Sequence, residues 1–314
     1  MSDIITQSKS PKEQCLQLVP FKIMMYGIVH TTYTKKLFLM GCRLKVKLAS
    51  LLSLSVGNYI EPQWNSGACR QMMLSIVRRV DAGLAAAVRD KTAKEAEELC
   101  ASGQCAAALP PLQLAMDLGH LPSRALKAWM LLGGRKGVAQ DWDGAFELVQ
   151  EGARLGCHHC QGVMAGCYLF CYRIRKDEAQ SLELARKSSG LGSRYGQYVL
   201  GKLYQYGAGG VAQDYTQAVA LHRLAVAQNL DWAQCALGDM YANGIGVAQD
   251  HTEALRFYML AAAQGHAISL HDVARYHELG LGIPGNEGEA IHWYRRAQTA
   301  GHPYAAAALL RLRA

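Results

Sequence analysis

The sequence contains little proline and little phenylalanine, and it has no long apolar run. Only 8 of the 314 residues are proline and 5 are phenylalanine, although half of all residues are hydrophobic. Scarce prolines leave helices uninterrupted, and the 31 glycines together with abundant alanine let helices pack closely. No run of 18 or more apolar residues occurs, so no transmembrane segment is expected.

Acidic residues are almost absent from the first 60 positions. That segment has eight Lys and Arg residues against Asp3 and Glu13, which gives it +6 of the total charge of +8 and leaves +2 for the other 254 residues. Such a charge favours nucleic acids or anionic surfaces, but this interpretation applies only to residues 1–60. Aromatic residues are few there and form no stacking pattern. We therefore interpret the segment as a poorly ordered basic tail, and nucleic-acid binding is not expected.

Signatures of several enzyme classes and of secretion are also missing. None of the patterns H-E-x-x-H, G-x-S-x-G, S-x-x-K and G-x-x-x-x-G-K-[ST] occurs, and no signal peptide of the usual order is visible. Residues 280–285 fit G-x-G-x-x-G, but a dinucleotide site needs a strand before the glycines, and a helix is predicted there. We therefore predict no catalytic residue and no bound cofactor.

A five-residue segment, Gly-Val-Ala-Gln-Asp, occurs three times, at 137–141, 210–214 and 246–250. Its last residue has equivalents at intervals of 36 or 37, which we call the anchors: Gln104, Asp141, Asp177, Asp214, Asp250 and Asn286. Fifteen residues after each anchor stands a Gly or Asn: Gly119, Gly156, Gly192, Asn229, Gly265 and Gly301. Asp and Asn favour helix N-caps, and Gly and Asn accept the left-handed conformation that ends helices. Each anchor is therefore predicted to open a helix of about 14 residues.

Four anchors are followed three residues later by Gln or Glu, as Asp214 is by Gln217, which predicts capping boxes. A second helix precedes each anchor, most clearly at 233–242, and a glycine-rich turn joins the two. Each pair is predicted to form an αα-hairpin with an apolar face that only a neighbouring hairpin can bury. The pattern predicts an all-α solenoid with twelve helices in six units over residues 92–314. A short C-terminal helix is expected at 304–313, and no strand.

The repeats resemble the Sel1-like repeat family, a relative of the tetratricopeptide repeats. The fourth unit reproduces the family pattern at Ala233, Leu237, Gly238, Tyr241, Gly244, Gly246, Val247, Asp250, Ala254, Ala261, Ala262 and Gly265. The resemblance covers residues 92–314 and implies a right-handed α-solenoid. Residues 61–91 are expected to form capping helices ahead of it, with Thr92 opening the first helix of the first unit.

The ten cysteines do not recur at the repeat interval, which argues against a ladder of disulfides and favours an intracellular, cytoplasmic location. Cys157-His-His-Cys160, followed by Cys167 and Cys171, has the residue types of a zinc site. Cys160 and Cys171 would lie about 16 Å apart on one helix, too far to share a metal ion. Only a subset such as Cys157 with Cys160 could bind one. Core packing is the favoured interpretation, and no metal site is predicted.

The family resemblance implies that a groove along the first helices of the units holds a protein segment. We therefore expect a non-catalytic scaffold or adaptor with a protein partner and no small-molecule substrate. Side chains pointing away from the stacking face are predicted to line the groove: Gln197, Lys202, Gln234, Asp239 and Arg275. Their mixed charges suit a polar extended segment, and exposed charges contribute little to stability. Two alternatives remain, namely a hydrolase of the cysteine-rich Sel1-like type and an RNA- or membrane-associated module acting through the basic N-terminus.

Overall fold

The computed structural model describes residues 82–134, 137–170, 172 and 175–312. This part of the chain contains thirteen α-helices and no strand, apart from an isolated bridge residue at Val138. The helices are α1 (Ala82–Ala101), α2 (Cys105–Asp117), α3 (Leu121–Gly133), α4 (Trp142–Arg154), α5 (His158–Phe170), α6 (Glu178–Gly190), α7 (Arg194–Tyr206), α8 (Tyr215–Ala227), α9 (Asp231–Asn243), α10 (His251–Ala263), α11 (Ala267–Leu279), α12 (Glu287–Thr299) and α13 (Ala305–Arg311). The predictions for residues 1–60 and 61–81 lie outside the described residues.

Consecutive helices pair into six hairpins, from α1–α2 to α11–α12, and α13 packs on α12. The all-α solenoid, the twelve helices and the short final helix are thereby confirmed for the described residues. Thr92 was expected to open a helix, and this is wrong, because α1 runs through it without interruption. The Thr92 hydroxyl instead donates to the backbone carbonyls of Val88 and Arg89, at 2.9 and 3.0 Å.

The predicted N-caps are confirmed at the second helix of five hairpins. Each cap side chain accepts a hydrogen bond of 2.9 to 3.1 Å from the backbone N–H three residues later: Asp141, Asp177, Asp214, Asp250 and Asn286. In the predicted capping boxes the Gln or Glu side chain would also bond back to the backbone N–H of the cap residue. That N–H makes a different bond here. The backbone N–H of Asp214 donates to the carbonyl of Tyr204 on α7 at 3.0 Å, and the other caps do the same within their own hairpins. This bond ties the two helices of each hairpin together.

All six residues predicted to end the second helices have positive φ angles. Asn229, at φ 58°, is the one non-glycine among them and the one non-glycine of the described chain with this backbone conformation. Asn tolerates it better than other side chains because its short amide can bond locally. The local chemistry of the repeat therefore sets both ends of the second helices.

Glycines on the first helices let the paired helix approach very closely. A Cβ atom at Gly201 would lie 2.6 Å from the ring of His222, and one at Gly238 would lie 2.5 Å from the ring of Tyr258. In both hairpins the ring of the second helix therefore lies directly on the backbone of the first. This contact fixes the spacing of the two helices.

The stack coils tightly enough for units distant in sequence to touch. Arg194 at the start of α7 forms an ion pair with Glu97 on α1, at 3.1 Å between Nη2 and Oε1. A Cβ atom at Gly103, between α1 and α2, would lie 3.0 Å from the carbonyl oxygen of Ala263 at the end of α10. The first hairpin therefore contacts the fourth and fifth hairpins. All of these residues belong to one compact unit, Pro62–Ala314.

Candidate functional site

The first helices of the hairpins line the inside of this coil, and we call the surface of α3, α5, α7, α9 and α11 the inner face. An aromatic cluster fills its N-terminal half. The ring of Trp129 on α3 lies 5.0 Å from Tyr195 and 5.8 Å from Tyr198 on α7, and 5.4 Å from Trp232 on α9, between centroids. The space left beside this cluster is a cavity of about 60 Å³, room for one or two water molecules. This half of the inner face is therefore part of the protein core.

The structure separates the five residues that were predicted to line the groove. Gln197, Lys202 and Gln234 are buried, with 6%, 9% and 2% of their surface exposed. Asp239 is half-buried, and the side chain of Arg275 is 49% exposed. The first three are therefore buried and do not point into an open groove, while the role of the five residues in partner binding stays a prediction.

The two buried glutamines have a structural role that recurs from hairpin to hairpin. Gln228, just after α8, donates through Nε2 to Oε1 of Gln197 at 2.8 Å. Gln264, just after α10, donates in the same way to Gln234 at 2.8 Å. Gln264 also donates to Oδ1 of Asn229 at 3.1 Å, at the end of the preceding hairpin. These amide bridges join the starts of α7 and α9, each to the ends of two second helices.

Lys202 is held against aromatic rings on α7. Its Nζ donates to Oε1 of Gln205 at 3.1 Å and lies 5.6 Å from the ring centroid of Tyr206 and 6.0 Å from that of Tyr198. Burial of its aliphatic stem leaves only the ammonium group near the surface. Charge reversal at this position would place a carboxylate among these rings. The substitution would therefore lower stability more than a charge reversal at an exposed residue.

A polar cluster occupies the C-terminal half of the inner face, formed by Cys235 and Asp239 of α9 with Asp272 and Arg275 of α11. The sulfur of Cys235 and one carboxylate oxygen of each Asp all lie within 4.8 Å of one another. Nη1 of Arg275 lies 3.4 Å from Oδ1 of Asp272. Cys235 and Asp239 are one helical turn apart, so they share a face of α9.

Burial and neighbouring charges set the electrostatics of the polar cluster. Burial raises the pKa of Asp239, and the negative charge of Asp272 acts in the same direction. The hydroxyl of Tyr258, which donates to Oδ1 of Asp239 at 2.8 Å, and the charge of Lys202 oppose that rise in pKa. Burial, followed by the charge of Asp239, raises the pKa of the Cys235 thiol. The cluster thus presents both signs of charge in a partly buried setting.

Sequence reasoning found Asp239 and Arg275 but missed Cys235 and Asp272. The signal that could have found them is a spacing of four residues between Cys235 and Asp239, together with 37 residues, one repeat interval, between Cys235 and Asp272. One repeat interval places residues on adjacent first helices. The exact approach of the two helices decides whether such residues meet, and the sequence does not show it.

Cys157 and Cys160 occupy positions that serve as caps elsewhere in the fold. They take the places of His120 with Ser123 and of His266 with Ser269, pairs whose side chains bond at 2.8 and 2.9 Å at the starts of α3 and α11. The Cys160 thiol, aided by backbone N–H groups at the start of α5, lowers the pKa of Cys157. Both cysteines are buried. Cys171, the other end of the proposed zinc set, lies outside the described residues.

One pair on the inner face has the residue types of a hydrolase site. Nδ1 of His159 lies 3.2 Å from Oγ of Ser193. Ser193 is fully buried and caps α7 by accepting a bond from the N–H of Gly196. Burial lowers the pKa of His159 to about 4. The pair thus holds two helices together, and a substrate has no access to the serine oxygen.

The fold and the inner face define a helical-repeat solenoid built from αα-hairpins. The Sel1 repeat model matches residues 160–193, 194–230, 233–266 and 267–302. The chain therefore contains four Sel1 repeats, which correspond to the hairpins α5–α6 through α11–α12. Proteins with Sel1 repeats are generally protein-interaction scaffolds and are typically non-catalytic. In the described residues, no helix is both long enough and apolar enough to span a membrane.

Several solved structures are similar to this chain. A Sel1 repeat protein from Oxalobacter formigenes is 24% identical, with a TM-score of 0.46 over 68% of this chain and 86% of that one. The protein c5321, a protective antigen of uropathogenic Escherichia coli strains, is 22% identical, with a TM-score of 0.45 over 74% and 51% of the two chains. A Sel1 repeat protein from Klebsiella pneumoniae is 21% identical, with a TM-score of 0.44 over 65% and 98%. Comparison with curated proteins gave no match.

Proposed function

We propose that this protein is a non-catalytic scaffold that binds a polar protein segment on the C-terminal half of its inner face. The observation that carries the proposal is the polar cluster. It lies on the first helices in the C-terminal half of the inner face, whereas aromatic packing fills the N-terminal half. Asp239, Asp272 and Arg275 offer hydrogen-bond donors and acceptors that a peptide backbone and polar side chains can use.

The charges favour a protein partner over a nucleic acid. Lys202 and Arg275 alternate with Asp239 and Asp272 along α7, α9 and α11, so the face carries both signs of charge. A phosphate backbone would be attracted by a uniformly positive surface and repelled by the two carboxylates. A polar peptide with charges of both signs matches this arrangement better.

Arg275 is the residue on which the proposal can be tested. It is 49% exposed and pairs with the carboxylate three residues before it. The chain offers a matched control in Arg256 on the second helix α10, whose side chain is 55% exposed and pairs with Glu253, also three residues before it. The two arginines have similar exposure and the same sequence spacing to their carboxylates but lie on opposite helices of their hairpins, and Arg256 also stacks over the ring of Phe257 at 4.3 Å.

The test begins with affinity capture and mass spectrometry to identify a partner, which is then purified. We expect Arg275→Glu to weaken binding of that partner about tenfold, or about 1.4 kcal/mol, and Arg256→Glu to leave it unchanged. Both variants should unfold at the same denaturant concentration as the parent, since exposed ion pairs contribute little. Loss of binding in Arg256→Glu alone would place the partner on the second helices and overturn the proposal.

A further inference from the structure

We propose that Cys235, Asp239 and Asp272 form a binding site for a divalent transition-metal ion of the zinc type. Their three ligand atoms already lie within 4.8 Å of one another. Two of them project from one turn of α9, and the third comes from the adjacent first helix α11. A pair of ligands at positions i and i+4 with a third from a neighbouring helix can enclose an ion without any change in the backbone.

The donor atoms select the kind of ion. A thiolate with two carboxylates suits Zn²⁺, Co²⁺ or a similar ion, whereas Mg²⁺ and Ca²⁺ prefer oxygen ligands alone. Zinc binds sulfur at about 2.3 Å and carboxylate oxygen at about 2.0–2.2 Å. Small side-chain rotations therefore bring the three atoms to bonding distance. Three protein ligands leave one tetrahedral position for water or for a donor from a bound partner.

The surroundings distinguish this group from an ordinary surface cluster of acids. Cys235 is only 7% exposed, and the side chain of Asp272 is 14% exposed. The hydroxyl of Tyr258 holds one oxygen of Asp239 at 2.8 Å. Such an outer hydrogen bond orients a metal ligand and leaves its other oxygen free to bind the ion.

Metal binding also reduces the net negative charge of the site. Once the thiol has lost its proton, the two carboxylates and the thiolate carry three negative charges in a small, partly buried volume, and a divalent cation neutralises two of them. That proton passes to solvent on binding. Arg275, whose Nη1 stands at a long 3.4 Å from Asp272, yields its place to the ion.

The site is tested with the full chain, stripped of metal by a chelator and titrated with Co²⁺ in the absence of any partner. The expected result is a thiolate-to-cobalt charge-transfer absorption in the near ultraviolet that stoichiometric Zn²⁺ removes. Cys235→Ser should abolish the absorption, and Asp272→Asn should weaken Co²⁺ binding at least tenfold. Cys157→Ser is the matched control, since that cysteine is also buried at a first helix, and it should leave the titration unchanged.

Absence of the absorption in the parent, or its persistence in Cys235→Ser, would overturn the proposal. Loss of the absorption in Cys157→Ser with retention in Cys235→Ser would assign the metal to the Cys157–Cys160 pair, which also overturns it. Circular dichroism checks that each variant is folded. If Cys235→Ser fails to fold, Asp272→Asn and Asp239→Asn carry the test. The assay contains no protein partner, so its failure leaves the proposed scaffold function standing.

Discussion

His222 on α8 shows how a single buried residue makes the stability of this fold depend on pH. It is fully buried, and neither ring nitrogen has a hydrogen-bond partner among the described residues. Burial, aided by the positive charge of Lys202, lowers the pKa of His222 to about 3. In the equivalent slot of the next hairpin the ring of Tyr258 lies on Gly238, as His222 lies on Gly201. The slot therefore selects an aromatic ring, and the imidazole fills it in the neutral state.

We predict that His222→Phe reduces the pH dependence of stability. In the unfolded chain this histidine has a pKa of about 6.5, so between pH 6.5 and 3 the unfolded state binds more protons. The His222 contribution is therefore fully present above pH 6.5 and is lost as the pH falls towards 3, at up to about 1.4 kcal/mol per pH unit. Urea unfolding of the parent and of His222→Phe at pH 7 and pH 5 measures this. An equal loss of stability in both proteins on acidification would contradict the prediction.

At the scale of elements, hairpins are joined by polar bridges at helix ends as well as by apolar packing. Gln228 and Gln264 follow α8 and α10 and reach Gln197 and Gln234 on the first helices. The hairpin α5–α6 has only half of this bridge. Gln161 stands at the first-helix position, is 7% exposed, and has no partner for Oε1 within the described chain. Leu191, which is 58% exposed, stands where the bridging glutamine is found in the next two hairpins.

Leu191→Gln should therefore stabilise the protein. The backbone at Leu191, with φ −91° and ψ 12°, matches that of Gln228, with φ −96° and ψ 17°, so the new amide starts from the same direction. A hydrogen bond to a buried acceptor adds about 0.5–1.5 kcal/mol. Denaturant unfolding measures the gain. The same substitution made in a Gln161→Met background has no acceptor to reach, and an equal gain there would show that the bridge is not the cause.

At the scale of the whole molecule, the coiling of the stack turns residues from separate hairpins into one core. Trp129, Tyr195 and Trp232 come from three different hairpins and meet on the inner face. The turn at Gly103 reaches the end of α10 across the coil. A solenoid whose units contact only their immediate neighbours would have an open groove along its full length. Here the aromatic contacts close one half of the inner face, which is why we propose the polar half as the partner site.

The contact at Gly103 can be measured by comparing two glycine substitutions. Gly103 and Gly119 have φ angles of 75° and 90°, so alanine at either position bears the strain of a left-handed backbone. A Cβ at Gly103 would meet the carbonyl oxygen of Ala263 at 3.0 Å, whereas one at Gly119 meets nothing within 4 Å. Gly103→Ala should therefore lower the free energy of unfolding by about 1–3 kcal/mol more than Gly119→Ala. Equal losses would mean that the first hairpin does not touch α10 in solution.

The sequence by itself determined the repeat, the hairpins and the ends of the second helices. Asp214 and Asp250 cap helices, and Asn229 ends one, because capping and left-handed φ angles depend on a few residues close in the chain. Thr92 was the exception, since its neighbours are all helix-compatible and its hydroxyl finds carbonyls within the helix.

Only the tertiary structure decided which residues of the first helices are accessible. Lys202 and Arg275 occupy the same repeat position, yet Lys202 is 9% exposed and the side chain of Arg275 is 49% exposed. The difference arises because Lys202 packs against Tyr198 and Tyr206 of its own helix, and Tyr198 in turn lies in the aromatic cluster that the coil assembles from separate hairpins. The convergence of Asp272 on Cys235 and Asp239 has the same origin. Both depend on small rotations between successive hairpins that accumulate along the stack, and no local sequence pattern records them.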